Sequence, residues 1–355
     1  MAKLSLCKHP TTRQRQQRHS PILEDTDAMK ALLLDRPGSP DTLYVSDLPE
    51  PHPAAGEVRV RVHAAGLNPA DYRFARRGFP RWHYPQILGL DVAGVIDALG
   101  ADVTQWQVGD AVYYHGDLSK PGGFAEWTIA PAHAIAPLPQ DLTFTEAAAL
   151  PCAGFTAYQC LHHKLHVESG QTILVQAGAG GVGGFAVQLA AAAGLQVIAT
   201  CSAANVDWVR QLGATDVLDY HAQDIPLEVQ RLTNNRGVDA IVDTVSADTA
   251  TTGLDMLAFG GGIACVAALP DFKHFQSFGK ALSVHDIALG GAHLSGDRTA
   301  QAQLAQIGRE LGKLVSDRTI TPMLQEVICL EQIPDGLTRL AQRHVRGKVV
   351  AQIQP

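Results

Sequence analysis

Hydrophobic and polar positions alternate along the stretch "EVRVRVHAAG". Val58, Val60 and Val62 are separated by Arg or His residues, which is the two-residue period of a half-buried β-strand. Further short apolar segments punctuated by glycine continue to about Pro151, without a helical segment long enough to cover a parallel sheet. The pattern predicts a mostly antiparallel, turn-rich region whose first strand is "MKALLLD", beginning at Met29.

After Pro151, short apolar runs alternate with segments of helical periodicity, which predicts an α/β fold with a doubly wound parallel sheet. The predicted strands are "TILVQAG", "LQVIAT", "DVLDY", "VDAIVDTV" and "IACVAAL". The predicted helices are Val182 to Ala193 (closed by Gly194), "NVDWVRQLG", "LEVQRLTNN" and the first part of "ATTGLDMLAFGGG", whose glycines predict a turn. After Gly290 we expect one amphipathic helix near residues 300–314 and a last strand in "RGKVVAQI".

Composition narrows the class of protein. With 355 residues and 46% hydrophobic content, the chain can form two domains with substantial cores. A formal net charge of -7 argues against a nucleic-acid partner, because binding phosphates requires clustered Lys and Arg. The six cysteines are scattered without a CxxC pair, which favours the reducing cytoplasm over a secreted scaffold.

Two stretches could be mistaken for targeting or membrane segments. Ser169 to Val206 lacks charged residues, but glycines and polar residues divide it into short pieces, so we expect no membrane span. The basic, polar stretch "KHPTTRQRQQRHSP" has no apolar core of a signal peptide. It predicts a disordered basic extension over residues 1–28, with the folded chain beginning near Met29; a basic targeting arm is the alternative.

Three glycines form a G-x-G-x-x-G motif between a predicted strand and the helix that follows it. In this context the glycines permit a tight turn, close approach of a pyrophosphate and close packing of the helix on the strand. The N–H groups at the start of the helix then face the anion. We therefore predict a dinucleotide-binding loop consisting of Gly178, Ala179, Gly180, Gly181, Val182 and Gly183.

The end of the second strand of this region favours NADP over NAD. An NAD site places Asp or Glu there to bind the ribose hydroxyls, whereas this chain reads "ATCSAAN" and has no acid before Asp207. No Lys or Arg follows before Arg210 either. The 2′-phosphate of NADPH would then be held by neutral donors, for which Ser202, Asn205 and Tyr220 are the candidates.

The chain resembles the medium-chain dehydrogenase/reductase superfamily, and within it the zinc-independent quinone oxidoreductases. The resemblance runs from about Met29 onward and rests on "AGLNPAD", "PQILGLDVAGVI", "VGDAVY", "GGFAEW", "EAAALPCAGFTAY", "AGAGGVGG", "GVDAIVDTV" and "RGKVV". It implies a GroES-like catalytic domain over residues 29–152 and 291–355, and a Rossmann NADP-binding domain over residues 153–290. It also implies an active site between the two domains and a homodimer. Thr156, Val266, Ala267 and Lys348 match positions that approach the cofactor in this family.

Zinc alcohol dehydrogenases of the same superfamily bind zinc at positions that match Asn68, Leu90 and Cys152. Asn and Leu cannot supply the missing ligands, so we expect no metal site. The structural zinc lobe with four cysteines is also absent from the sequence. His162 and His166, spaced i,i+4 in "HHKLH", could clasp a metal on a helix, but they lack a third ligand and are more typical of a solvated surface.

Without a Lewis acid, hydride transfer suits acceptors that delocalise the incoming charge themselves. The preferred function is an NADPH-dependent, metal-free reduction of a quinone or a similar electrophilic carbonyl compound. The resemblance implies that Asn68 and Asp71 shape the site near the nicotinamide, although "NP" is also a turn signal and Asp71 could cap a helix. Related enoyl reductases carry a tyrosine proton donor where Phe79 stands here. Tyr72 could substitute, as could His83, Tyr84 or water.

Several alternatives remain at this level. The chain could be a zinc-free enal or enone reductase, an NADPH-binding protein with little turnover, or a zinc alcohol dehydrogenase. A local basic cluster could attract anionic substrates or form a solvated face; it consists of Arg73, Arg76, Arg77 and Arg81.

Overall fold

The computed structural model describes residues 3–4, 28–273, 275, 278–343 and 345–354. The predicted extension over residues 1–28 lies outside the described residues, apart from Ala28 and a two-residue strand. The strands are β1 Lys3–Leu4, β2 Ala28–Leu34, β3 Tyr44–Pro49, β4 Glu57–Gly66, β5 Gln86–Ile87, β6 Asp91–Leu99, β7 Ala111–His115, β8 Trp127–Pro131, β9 Ala136–Pro137, β10 Thr172–Val175, β11 Gln196–Cys201, β12 Asp216–Asp219, β13 Val238–Asp243, β14 Leu257–Cys265, β15 Ser283–Asp286, β16 Leu324–Cys329 and β17 Lys348–Gln352.

The longest helices, α4 and α9, follow the region rich in strands. They are α1 Pro69–Arg77, α2 Phe144–Ala148, α3 Thr156–Tyr158, α4 Gly181–Ala192, α5 Val206–Gln211, α6 Ile225–Leu232, α7 Ala247–Met256, α8 Gly291–Leu294, α9 Arg298–Ser316 and α10 Ile333–Ala341. Two π-helical turns, Pro151–Phe155 and Gln159–Lys164, flank α3. Within the described ranges, every helix is too short or too polar to cross a membrane.

The larger sheet joins strands that are far apart in sequence. Its order is β1–β16–β17–β4–β6–β7–β9, and β8 also pairs with β4. β6 runs antiparallel to β4 and to β7, and β17 runs antiparallel to β4 with Val350 opposite Gly66. The predicted alternation in β4 is confirmed, because Val58, Val60 and Val62 are completely buried.

The second sheet has the order β12–β11–β10–β13–β14–β15, and every pair in it is parallel. The chain order reverses between β10 and β13. In sheets of this kind, ligands bind at the carboxyl edge where the order reverses. The predicted glycine loop follows β10 and therefore lies at this edge.

The structure corrects the sequence-based prediction at four places. The glycines of "AFGGG" do not end an element, because β14 already begins at Leu257; β13 pairs with Leu257 and again with Gly262, so the residues between them bulge out of the strand. The pattern after Gly290 also contains α10 and β16, which were not predicted. A sixth parallel strand, β15, and the helical segment around α3 were missed as well.

One hydrophobic core connects the two sheets. It contains Ala64 and Tyr113 from the larger sheet together with Ile173 and Val175 from the parallel sheet. α9 packs into this core, and the Tyr113 hydroxyl donates to the Gly308 carbonyl of that helix. The two sheets therefore meet through continuous apolar packing.

Candidate active site

Four neighbouring strands of the larger sheet bring polar residues to one edge. Gly66 at the end of β4 lies opposite Asp91 at the start of β6, and Asp91 lies opposite His115 at the end of β7. β17 pairs with β4 on its other side, so Lys348, its first residue, comes next to Asn68. Antiparallel pairing thus aligns residues that the sequence keeps far apart.

Asp91 and Lys348 form the centre of this group, and both are almost completely buried. Lys348 Nζ lies 3.2 Å from Asp91 Oδ2 and donates to Asn68 Oδ1 at 2.6 Å. Asn68 Nδ2 donates to Asp91 Oδ2 at 2.8 Å, and the Cys152 N–H donates to Asp91 Oδ1 at 2.8 Å. Burial raises the pKa of Asp91, whereas the charge of Lys348 lowers it. The ammonium therefore favours the ionised carboxylate.

Asn68 also caps α1, which begins with Pro69. Its N–H donates to Asp71 Oδ2 at 2.8 Å, so Asp71 closes the first turn of the helix. Burial raises the pKa of Asp71 to about 7, although the hydrogen bond from the Asn68 backbone opposes the shift. The structure thus assigns Asp71 a capping contact and Asn68 both a cap and a bond to the buried ion pair. Their catalytic roles stay predictions.

The glycine loop has the shape expected for an anion cradle. Gly178 N–H donates to the Thr200 carbonyl at 2.8 Å, which ties the loop to β11. A Cβ at Gly183 would collide with the Ala177 carbonyl oxygen, whereas a Cβ at Gly180 would lie 3.4 Å from it. Gly180 is the residue before α4, and the N–H groups in the first turn of a helix lack partners within the helix and favour an anion. These residues fit a dinucleotide pyrophosphate.

Lys348 also connects this loop to the ion pair. The Gly347 N–H donates to the Ala179 carbonyl at 3.1 Å, and a Cβ at Gly181 would lie 3.5 Å from Lys348 Cδ. The aliphatic part of Lys348 therefore passes the glycine loop before its ammonium reaches Asn68. The resemblance implied that Lys348 approaches the cofactor, and its stem lies beside the loop that would bind it.

The three residues predicted to hold the 2′-phosphate lie at the ends of adjacent strands. Asn205 Nδ2 donates to Ser202 Oγ at 3.1 Å just after β11. Tyr220 follows β12 and is 51% exposed; its ring lies at a tilt of 47° to that of His221, with a centroid distance of 4.3 Å. The Tyr220 N–H donates to the Cys201 carbonyl at 3.3 Å, so Tyr220 stays near the end of β11.

Arg346 is a candidate that the sequence analysis missed. Its guanidinium lies 5.3 Å from the centroid of the Trp208 ring, and its Nε donates to Gln325 Oε1 at 3.3 Å. The cavity beside it has a volume of about 490 Å³ and is lined by Ala204, Asp207, Trp208, Gln211, Leu324, Gln325 and Arg346. This cation stands next to the turn after Ser202. Arg346 is the first residue of the motif "RGKVV", which was the feature of the sequence that could have pointed to it. The motif reaches the glycine loop only in the folded protein, where β17 pairs with β4.

The remaining predicted residues occupy varied environments. Thr156 is buried and its hydroxyl donates to the Cys152 carbonyl at 2.6 Å. Val266 follows β14, and its N–H donates to the Asp243 carbonyl at 2.8 Å; the next residue, Ala267, is exposed. Tyr72 packs under the Arg76 guanidinium at 5.6 Å, which occupies one face of its ring. The other three arginines of the basic cluster are also exposed; they are Arg73, Arg77 and Arg81.

The aromatic loop after α1 carries no proton donor at Phe79. Its ring packs against Phe74 and Trp82, with centroid distances of 5.9 and 6.1 Å. His83 and Tyr84 are exposed at the end of the same loop.

The donor set does not fit the zinc site of the related alcohol dehydrogenases. Leu90 is a buried apolar residue, and the side chain of Asn68 is occupied by Asp91 and Lys348. Among the described residues, one group could hold a metal ion: Asp91, His115 and Cys152 offer ligand atoms within 4.8 Å of one another. Both Asp91 oxygens already accept hydrogen bonds, one of them from an ammonium, and burial raises the pKa of the Cys152 thiol.

The fold and these motifs match known proteins. Residues 54–140 match the family described as "Alcohol dehydrogenase GroES-like domain", and residues 181–309 match the one described as "Zinc-binding dehydrogenase". A quinone oxidoreductase of Pseudomonas aeruginosa is 36% identical over 62% of this chain and 68% of that protein. The mitochondrial NAD(P)H oxidoreductase RTN4IP1 of Danio rerio is 31% identical over 92% of this chain and 91% of that protein.

The solved structure of the quinone oxidoreductase from Coxiella burnetii superposes with a TM-score of 0.81 at 31% identity, covering 92% of this chain and all of that one. The chain also spans 12% of the length of the phthioceranic/hydroxyphthioceranic acid synthases of Mycobacterium, with 33% identity over 255 residues. The chain therefore belongs to the medium-chain dehydrogenase/reductase superfamily. The predicted α/β fold, with a GroES-like domain and a Rossmann-type parallel sheet, is confirmed, and relatives in this superfamily use NAD(P)H.

Proposed function

We propose that the protein transfers hydride from NADPH to a quinone or a similar electrophilic carbonyl acceptor without a metal ion. When bound, the reduced nicotinamide supplies the hydride, and the protein orients the two partners and stabilises the charge that develops on the acceptor. The similarity to quinone oxidoreductases supports the choice of acceptor.

The ion pair of Lys348 and Asp91 is the observation that supports a reaction without a metal ion. The Lys348 ammonium stands 2.6 Å from Asn68 Oδ1, at a position where zinc-dependent relatives have a ligand. A divalent cation bound to Asp91 would have to compete with this ammonium and would be repelled by it. Leu90 stands at the second zinc-ligand position of those relatives and cannot bind a metal. The site therefore offers a fixed positive charge and a buried hydrogen-bond network instead of a Lewis acid.

The environment after β11 supports NADPH over NADH. Gln196–Cys201 and the turn that follows contain no carboxylate that would repel a 2′-phosphate. Arg346 adds a cation beside this turn, anchored by the bond from the Gly347 N–H to the glycine loop. An arginine near this point is a common way to accommodate the 2′-phosphate. The free thiols of Cys160, Cys201 and Cys265 support a reducing compartment such as the cytoplasm.

The test is the oxidation of NADPH, and in parallel of NADH, with a quinone, an enone, an enal and a simple ketone, each with and without a chelator. We expect turnover of the quinone or enone that is insensitive to the chelator and faster with NADPH. Activity confined to the ketone and abolished by chelation would show a metal-dependent enzyme. Tight NADPH binding with no turnover of any acceptor would favour a binding protein.

A further inference from the structure

Two histidines that the proposed function does not use stack on each other beside the buried ion pair. His115 ends β7 and is 3% exposed, and His293 lies in α8 and is 6% exposed. Their ring centroids are 6.1 Å apart and the ring planes differ by 14°. A Cβ at Gly290 would lie 3.6 Å from His115 Cε1. The pair therefore lies where the segment after β15 meets the polar edge of the larger sheet.

The hydrogen bonds determine the tautomer of His293. Its Nε2 lies 3.0 Å from the His115 carbonyl oxygen, and because a carbonyl only accepts, Nε2 carries the proton. The Nδ1 atoms of both rings are buried without a hydrogen-bond partner. Buried polar atoms in native proteins are almost always paired, so unpaired ring nitrogens on two neighbouring side chains indicate a place for a polar group of a ligand.

Burial disfavours the charged form of both rings. Burial lowers the pKa of His115 to about 3, and the positive charge of Lys348 acts in the same direction. Burial also lowers the pKa of His293. A neutral imidazole is a hydrogen-bond donor that polarises a carbonyl group rather than a source of protons.

We propose that His115 donates a hydrogen bond to the carbonyl oxygen of the acceptor, and that His293 is a positioning residue that holds the end of β7. This inference rests on the proposed function. When the acceptor takes up hydride from the reduced nicotinamide, a new C–H bond forms and the π electron pair moves to the carbonyl oxygen. The His115 N–H stabilises this oxyanion, and a proton from water completes the reduced product. No acid is then needed at Phe79.

The decisive variants of His115 either remove its hydrogen-bond donor or replace it with an amide donor at a similar position. His115→Phe keeps a ring but cannot donate, whereas His115→Asn places an amide nitrogen near Nδ1 and His115→Gln places one near Nε2. Removing one donor to an oxyanion lowers kcat about 100-fold. We expect a loss of this order in the Phe variant, recovery to within about tenfold of wild type in one of the two amide variants, and no change in His52→Gln, an exposed control.

A series of substituted quinones and enones separates a hydrogen bond from a structural effect. The stabilisation by a donor grows with the charge and basicity of the oxygen that it contacts. The loss in His115→Phe should therefore increase with the basicity of the product oxyanion, while the KM for NADPH stays constant. His293→Phe should give a smaller loss with the same trend. An equal loss for every acceptor, or no loss, would overturn the inference.

A binding measurement makes the inference independent of turnover. We would titrate 4-nitrophenolate, an analogue of the oxyanion, into the enzyme loaded with NADP⁺, and expect the Kd to rise at least about tenfold in His115→Phe. If the wild type reduces no acceptor, the proposed function fails, and this titration still decides whether His115 binds the oxyanion. An unchanged Kd would overturn the inference, as would a stoichiometric metal ion that the Phe variant loses.

Discussion

Lys348 Nζ lies 3.2 Å from Asp91 Oδ2, and the two side chains are only 3% and 0% exposed. The pair joins the first residue of β17 to the first residue of β6, with β4 between these strands. Each charge depends on the other, because an isolated ion at this depth would lose its hydration without compensation.

Replacing Lys348 by Met should leave the Asp91 carboxylate buried without its counter-ion. Breaking a buried pair costs about 3–5 kcal/mol, and we expect the free energy of unfolding in urea to fall by that amount. The double variant Lys348→Met with Asp91→Asn should recover part of the loss. Lys30→Met is the control, since its pair with Asp47 is exposed and should contribute less than about 1 kcal/mol. A loss in Lys348→Met no larger than in this control would contradict the role of the pair.

Alanine substitutions at two glycines of the loop should have different effects. Gly183→Ala places a methyl group against the Ala177 carbonyl, so the loop must shift and the melting temperature should fall. Gly180→Ala makes an ordinary contact with the same oxygen, at 3.4 Å, and should change the unfolding free energy by less than about 1 kcal/mol.

The Gly180 methyl group would nevertheless occupy the space that the cradle offers to a pyrophosphate. We therefore expect Gly180→Ala to bind NADPH at least about tenfold more weakly, measured by nucleotide fluorescence, at nearly unchanged stability. Normal affinity in this variant would show that the pyrophosphate does not approach Gly180.

Arg346→Gln tests the choice of cofactor. A hydrogen bond to a charged group contributes about 1.5–3 kcal/mol, so the Kd for NADPH should rise about 10- to 100-fold. The Kd for NADH should not change, because NADH has no 2′-phosphate. Arg339→Gln, which removes a surface pair with Glu326, is the matched control. A parallel weakening of both nucleotides would mean that Arg346 acts through Trp208 or Gln325 rather than through the phosphate.

Asp71 should make stability depend on pH. Burial raises its pKa from 3.8 to about 7, so the folded protein holds this proton more tightly than the unfolded chain does. Its contribution is therefore fully present below the unfolded pKa and is lost as the pH rises to about 7. Between about pH 4 and about pH 7, the unfolding free energy of the wild type should fall by about 3 kcal/mol more than that of Asp71→Asn.

An exposed carboxylate provides the control for this measurement. Asp255→Asn should follow the wild type over the same pH range, since Asp255 is exposed at the end of α7. Parallel curves for the wild type and Asp71→Asn would show that Asp71 is ionised in the folded protein throughout.

Local patterns in the sequence were sufficient to predict the strands and helices whose apolar residues recur with a clear period. The alternation in β4 and the strand–glycine–helix order around Gly180 depend on neighbours within a few residues, and both were found. The bulge in β14 was not found. There Gly260 has a positive φ of 78° and Phe259 is 79% exposed, which are features of a turn, yet pairing with β13 resumes at Gly262.

The polar edge around Asp91 and Lys348 could be predicted only in part. Asn68, Asp71 and Lys348 were predicted from motifs, but nothing local in the sequence indicates that His115 and His293 stack or that Arg346 lies over the Trp208 ring. Those contacts depend on which strands pair and in which register, and pairing between distant strands is determined by the whole fold.

The position of β17 has a consequence for how the molecule assembles. Lys348 and Asn68 are 280 residues apart in the chain, whereas the strand pairs of the parallel sheet close shorter stretches of chain, such as the one between Ile173 of β10 and Ala240 of β13. Contacts between distant residues form late, since the entropy of closing a long loop opposes them. We therefore expect the polar edge around Asp91 and Lys348 to form after the parallel sheet, when β17 docks on β4.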